Sequence, residues 1–151
     1  LRLFFCDNFY YNDIMKDYSQ NLIKDYKYWN VYIHENQDAL GRLYVWCKRG
    51  DTLELPDATE EEQKELFVIL REMKEVLKKT FNPDMFNYSF LGNVTYHLHG
   101  HIIPRYSRLV EFNGQTFVDI NYGHGFKRDH DFITTPELLE AVKVKIKENL
   151  Q

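Results

Sequence analysis

The chain reads as an α+β domain built on an antiparallel sheet. Three observations predict this. Runs rich in aromatic and β-branched residues are joined by short turn sequences, so neighbouring strands are hairpin partners. One long amphipathic segment, Thr59 to Lys79, follows the first hairpin and does not alternate with strands. Two further strand candidates and another hairpin then follow in succession, which excludes a βαβ repeat.

Taken in order, Asn12 to Ile23 places Ile14, Met15, Tyr18, Leu22 and Ile23 at near-helical spacing, with Asn12 or Asp13 as the cap, and predicts a helix. Tyr28 to His34 (YWNVYIH) and Leu43 to Lys48 (LYVWCK) predict a hairpin around the turn residues Glu35 to Gly41. Both runs are nearly continuously apolar, so they belong in the middle of a sheet with at least one face buried.

Thr59 and Glu62 form a capping box at the start of the clearest helix, and the acidic run Glu60, Glu61, Glu62 suits its positive end. Its predicted apolar stripe is Leu66, Phe67, Ile69, Leu70, Met73, Val76 and Leu77, with Lys78 and Lys79 at the negative end. Asn82, Pro83 and Asp84 end it, and Met85 to Leu91 (MFNYSFL) predicts the next strand.

Val110 to Phe112 and Thr116 to Ile120 flank Asn113-Gly114, a strong two-residue hairpin signal. A polar loop, Asn121 to Asp131, carries His124 and His130. Thr135 then caps a last helix with Pro136 at its first position and Leu138, Leu139, Val142 and Ile146 as its stripe, ending near Asn149.

At 151 residues the chain is expected to be one domain, with a composition (44% hydrophobic, 28% charged) suited to a packed core. The net charge of -4 offers no basic field for nucleic acid, so an anionic ligand would need a local cationic pocket. Cys6 and Cys47 are far apart and form no CxxC pattern, which predicts free thiols in a reducing compartment. No apolar run approaches the ~18 residues of a membrane span, and a cytoplasmic protein is expected.

The chemistry concentrates in His97, Leu98, His99, Gly100, His101, Ile102, Ile103, Pro104, Arg105. Read as a strand closed by Pro104, this stretch puts His97, His99 and His101 on one face, with alternate neighbours roughly 6.5 to 7 Å apart. Three of the chain's six histidines within five positions is an improbable way to cover a solvated face.

Two chemistries suit such a row. His-x-His can bind zinc, with His34, His124, His130 or nearby acids completing the site, although no second cluster at ligand spacing is present. Alternatively, a neutral imidazole can attack phosphorus, with neighbouring histidines and an arginine bound to the phosphate oxygens.

The run His97-Leu98-His99-Gly100-His101-Ile102-Ile103, followed by Pro104-Arg105, resembles the signature of the histidine-triad (HIT) family. The resemblance extends to Gly92-Asn93 before the triad, to Asn87 in NYSFLGN, and to Asn36-Gln37-Asp38-Ala39-Leu40-Gly41-Arg42 leading into LYVWCKR. These features are similar to the diadenosine tetraphosphate hydrolase-like branch. They span about residues 28 to 106 of an expected single domain covering 1–151, leaving a C-terminal extension of about 107–151.

The resemblance implies a HIT-like fold with about five core strands, usually assembled as a homodimer with a continuous sheet. It implies a nucleotide hydrolase or transferase, with dinucleoside polyphosphate hydrolysis the best single expectation. His99 would be the nucleophile on the α-phosphorus, His101 the phosphate contact and His97 the orienting neighbour. Arg42, Asn87 and Asn93 would bind the nucleotide or its phosphates.

Arg42 stands where many members carry a histidine, so a fixed cation would replace a titratable one. Two further departures are Val94, where several branches carry Ser or Thr, and Gly50, where Lys-Arg commonly continues into His. Thr95 would face away from the phosphate. No cofactor is required for this covalent chemistry, and a divalent metal can accompany a polyphosphate. A different class also fits the motif, namely a nucleotide-binding regulatory module with marginal turnover.

Overall fold

In the computed structural model, which describes residues 18–150, one antiparallel sheet contains β1 (Leu22–Asp25), β2 (Trp29–Ile33), β3 (Leu43–Cys47), β4 (Met85–Ser89) and β5 (His99–Arg105). Their spatial order is β1-β2-β3-β5-β4. Helix α1 (Glu60–Phe81) connects the first hairpin to β4, and α2 (Pro136–Lys147) ends the fold. A separate small hairpin pairs β6 (Val110–Phe112) with β7 (Gln115–Phe117).

Alternation along β2 and β3 divides the sheet into two faces. Trp29, Val31, Ile33, Leu43, Val45 and Cys47 are buried in one core with Leu66, Ile69, Met73 and Leu77 of α1 and with Leu138, Val142 and Ile146 of α2. Asn30, Tyr32, Tyr44 and Trp46 point the other way and are half-buried. One face of the sheet is thus covered by both helices, leaving the other for polar and aromatic groups.

The capping box forms as expected: Thr59 Oγ1 accepts from Glu62 N at 3.3 Å, and Thr59 N donates to Glu62 Oε2 at 2.7 Å. Glu62 is itself buried and takes two bonds from Arg49, so one acid both caps the helix and fixes the preceding loop. Asn82, at φ 49°, ends α1 in the left-handed region that Asn tolerates. Phe67, assigned by spacing to the buried stripe, is 58% exposed. The core face is set by Leu66, Ile69, Met73 and Leu77, and Phe67 is turned about 100° from Leu66.

The helix predicted over 12–23 is corrected where it can be compared. Residues 12–17 lie outside the described residues; Ser19–Asn21 form one 3₁₀ turn and Leu22–Asp25 form β1. Pairing with β2 satisfies the backbone, while Lys24 and Tyr26 bind Glu72 and the Lys27 and Tyr28 amides bind Glu65 on α1. These tertiary partners outweigh a short, weak helical period.

The histidine strand starts at His99, not at His97, and continues through Pro104 to Arg105. A bend before it is held by Leu98 N donating to Thr52 O at 2.8 Å. Pro104 lies past Ile102, the last residue paired with β3, where a missing amide is tolerated. The Asn113-Gly114 turn has both residues at positive φ, as a type I′ hairpin requires. Its second strand ends at Phe117 and not at Ile120, because Asp119 turns toward Arg105. Among the described residues no helix is long and apolar enough to cross a membrane.

Candidate active site

The helix-free face of the sheet gathers the histidines. Register pairs Trp46 with His99 and Tyr44 with His101 across β3 and β5. The Trp46 ring stacks on His97 at 4.1 Å and on His99 at 5.5 Å between centroids. His99 meets His101 edge-on at 5.4 Å, and His101 lies 5.5 Å from His34 at the end of β2. His97, His99 and His101 therefore come together as their spacing predicts, although His97 precedes the strand. His34 joins them as a fourth imidazole.

Backbone carbonyls determine two tautomers, since a carbonyl only accepts. His99 Nδ1 donates to His97 O at 2.8 Å, which leaves Nε2 with its lone pair. His97 Nε2 donates to Cys47 O at 2.6 Å. His34 matches His97 and is the reverse of His99: Nδ1 accepts from Asn36 N at 3.0 Å, so the proton of the neutral ring is on Nε2.

Burial disfavours the charged form of three of these imidazoles. His101 is pushed down to about 4, chiefly by desolvation and then by the charges of Arg42, His99 and Arg128. His34 falls to about 2, again by desolvation first, followed by Arg42, His101 and Arg128. Desolvation also lowers His97, with His99 adding to it and the Cys47 carbonyl opposing it. His101 Nδ1 is buried without a hydrogen-bond partner among the described residues.

The cation comes from the hairpin turn. Buried Gln37 organises it, accepting from Gly41 N at 2.9 Å and donating to the carbonyls of His34 and Arg42. Gly41 has φ 83°, and a Cβ there would lie 2.9 Å from the Phe81 ring, so the turn needs glycine twice over. Arg42 follows, buried, with Nη1 3.3 Å from Asp38 Oδ1 and its guanidinium over the Phe126 ring at 5.1 Å. Its Nε has no partner among the described residues.

Asn87 and Asn93 are placed differently. Asn87 Oδ1 accepts from Arg105 Nη1 at 2.5 Å, beside the site. Asn93 is exposed in the loop before the triad and makes no hydrogen bond among the described residues. His124 and His130 are also exposed, and no contact brings them to the triad. Among the described residues, no group of three or more His, Cys, Asp or Glu is arranged to hold a metal ion.

Sequence reasoning missed several neighbours. Trp46 and Tyr44 were legible from the alternation that buries Val45, and Arg105 from the two-residue period running 99, 101, 103, 105. Phe126 and Arg128 had no such signal. They are brought toward the site by Arg105, 1% exposed, which binds both carboxylate oxygens of Asp119 and the carbonyls of Asn121 and His124, and by Asp38, which accepts from Asp129 N.

The sequence model of the HIT domain matches residues 19–108. No curated protein is significantly similar to the chain. Among solved structures, a HIT-like protein involved in cell-cycle regulation from Bartonella henselae is 24% identical, with 86% of each chain covered and a TM-score of 0.64. A histidine triad protein from Sinorhizobium meliloti is 21% identical, covering 87% of this chain and 92% of that one, with a TM-score of 0.68. A hypothetical histidine triad nucleotide-binding protein from Sulfolobus tokodaii is 19% identical over 92% of this chain and 87% of its own, with a TM-score of 0.64. At these identities the likeness is one of fold. The five-stranded antiparallel sheet, the histidine row and a family match over more than half its length agree: the chain belongs to the HIT domain family, whose members are typically nucleotide hydrolases or transferases.

Proposed function

We propose that this protein cleaves nucleotides at the α-phosphorus through a covalent intermediate on His99, with dinucleoside polyphosphates as substrates. The observation that carries this reading is the 2.8 Å bond from His99 Nδ1 to the His97 carbonyl. It fixes the tautomer in which Nε2 is unprotonated, and the ring is only half-buried, so a phosphate can approach it.

In the first step His99 Nε2 forms a bond to the α-phosphorus, and the bond to the leaving group breaks with its electron pair departing on oxygen. The phosphorylated ring is cationic, and Nδ1–H still donates to the His97 carbonyl, which stabilises that charge. Water then attacks the same phosphorus, gives up a proton to solvent, and expels Nε2 with its lone pair restored. Another acceptor in place of water gives transfer instead of hydrolysis.

His101 hydrogen-bonds a non-bridging oxygen, and Arg42 supplies the positive charge that a neutral imidazole lacks. His97 orients the loop and the nucleophile. Asn87, whose oxygen is occupied by Arg105, has its amide N–H groups left to donate toward substrate; Asn93 covers it from the loop. The chemistry needs no resident cofactor on this reading, and a divalent ion can arrive with the polyphosphate. A homodimer joined along the outer edge of β4 fits the exposure of Met85 and Tyr88 on that strand.

The test is a panel of dinucleoside polyphosphates and nucleoside phosphoramidates given to the purified protein. Release of a nucleoside monophosphate is expected. Micromolar binding with no product would replace the enzyme with a nucleotide-binding regulatory module.

A further inference from the structure

The chain beyond the family match returns to the histidine face, and its anchors are specific. Asp119 is held by Arg105 through Nε and through Nη2 at 3.0 Å. The Phe126 ring lies beneath two guanidinium groups, Arg42 at 5.1 Å and Arg105 at 5.7 Å. Asp129 N donates to Asp38 Oδ2 at 2.7 Å, the same carboxylate whose other oxygen faces Arg42. Asn36 Nδ2 reaches Asp129 O at 3.4 Å, and Gln37 N donates to Thr134 Oγ1 at 2.8 Å.

Arg128 sits between these anchors, two residues after Phe126 and one before Asp129. It is exposed and makes no ion pair or hydrogen bond among the described residues. After desolvation and nearer charges, its positive charge adds to what disfavours protonation of His34, Arg42 and His101. Arg128 therefore adds an unpaired positive charge to the loop that borders Arg42, whose own partner is Asp38. A polyphosphate lying along this loop can be bound by both guanidinium groups.

We propose that Arg128 is a phosphate-binding residue of this site, contacting the β- and more distal phosphates that leave while Arg42 and His101 contact the α-phosphate. It deepens the function proposed above and rests on it for the site but not for turnover. It also gives the C-terminal loop a role in substrate choice, favouring nucleotides with a polyphosphate chain over those whose α-phosphate carries a neutral leaving group.

The test compares Arg128→Ala and Arg128→Lys with the wild type, by calorimetric titration with ATP and with AMP, and by kinetics on a dinucleoside polyphosphate and a nucleoside phosphoramidate. Arg128→Ala is expected to weaken ATP binding, and to raise KM for the polyphosphate, by about tenfold, the effect of losing one exposed charge-assisted bond. AMP affinity, phosphoramidate kinetics and the melting temperature stay near wild-type values, and Arg128→Lys recovers part of the ATP affinity. Equal loss for ATP and AMP would mean that the residue only shapes the loop, and unchanged ATP binding would mean that it does not touch phosphate; either result overturns the proposal. If the wild type turns over neither substrate, the proposed reaction fails and the ATP-to-AMP ratio still decides the role of Arg128.

Discussion

His99 donates its Nδ1 proton to the main-chain carbonyl of His97, 2.8 Å away. The bond spans the point where the chain leaves the Thr95–Leu98 bend and enters β5, so the start of the strand determines which nitrogen of His99 is free. His97 is tied down in turn by Cys47 O and by the Trp46 ring. The proposed nucleophile is thus oriented by backbone geometry, without a carboxylate partner.

Arg42, the proposed phosphate ligand, is also a structural charge. Its partner Asp38 has a side chain only 2% exposed. Arg42→Ala leaves that carboxylate without its cation, and urea denaturation is expected to show a loss of about 3 kcal/mol. Asp38→Asn in the same chain recovers part of the loss, whereas nucleotide affinity stays low in the double variant. Equal nucleotide affinity for Arg42→Ala and wild type would remove Arg42 from the phosphate site.

Gly100 lies between two catalytic candidates because nothing larger fits its other face. A Cβ at position 100 would stand 2.3 Å from Cε1 of Phe90. Gly100→Ala should cost about 1–3 kcal/mol from overpacking. Combined with Phe90→Ala it should cost less than the sum of the two single changes, the non-additivity expected of residues in contact. Strict additivity in denaturant melts would count against this packing.

The Arg105–Asp119 pair fastens the C-terminal loop. Asp119→Ala leaves a guanidinium buried to 1% exposure without its carboxylate, at a cost of about 3 kcal/mol. Hydrogen exchange is expected to quicken first at residues 119–129, ahead of the sheet, and KM for a polyphosphate substrate should rise because Arg128 loses its anchor. Exchange that quickened uniformly would mean that the loop is not a separately fastened unit.

Acid should weaken the fold through two histidines. His101, at about 4, and His34, at about 2, titrate in the folded state below the 6.5 of a free imidazole. The unfolded chain therefore binds more protons than the folded one as pH falls below 6.5. Stability is full above that value and declines toward pH 4, with His101 contributing on the order of 2–3 kcal/mol. Replacing His101 with Asn should flatten the slope of urea stability against pH between 6.5 and 4. An unchanged slope would show that this ring is not held neutral.

The order of elements from β2 onward was legible because each carries a local signal. The capping box at Thr59, the Asn-Gly turn at 113–114 and the aromatic alternation of β2 and β3 all act over a few residues. β1 was not legible, since Leu22 to Asp25 becomes a strand through its pairing with β2 and its bonds to Glu65 and Glu72, far along the chain. The same division holds at the site. The three histidines are found by period two, and Arg42 by its resemblance to a family position. The approach of His34 depends on the register of β2, β3 and β5, and that of the Arg128 loop on the Arg105–Asp119 ion pair and the bond from Asp129 N to Asp38. Neither has a local sequence pattern.

The central claim is covalent chemistry at His99, and trapping it is the most direct measurement. A dinucleoside polyphosphate is mixed with enzyme, quenched within milliseconds, digested under neutral conditions and mapped by mass spectrometry. A nucleoside monophosphate adduct on His99 is expected in the wild type. His99→Ala should show no adduct and a turnover at least ~10³-fold slower, with nucleotide affinity retained. An adduct on another residue, or wild-type turnover by His99→Ala, would contradict the account.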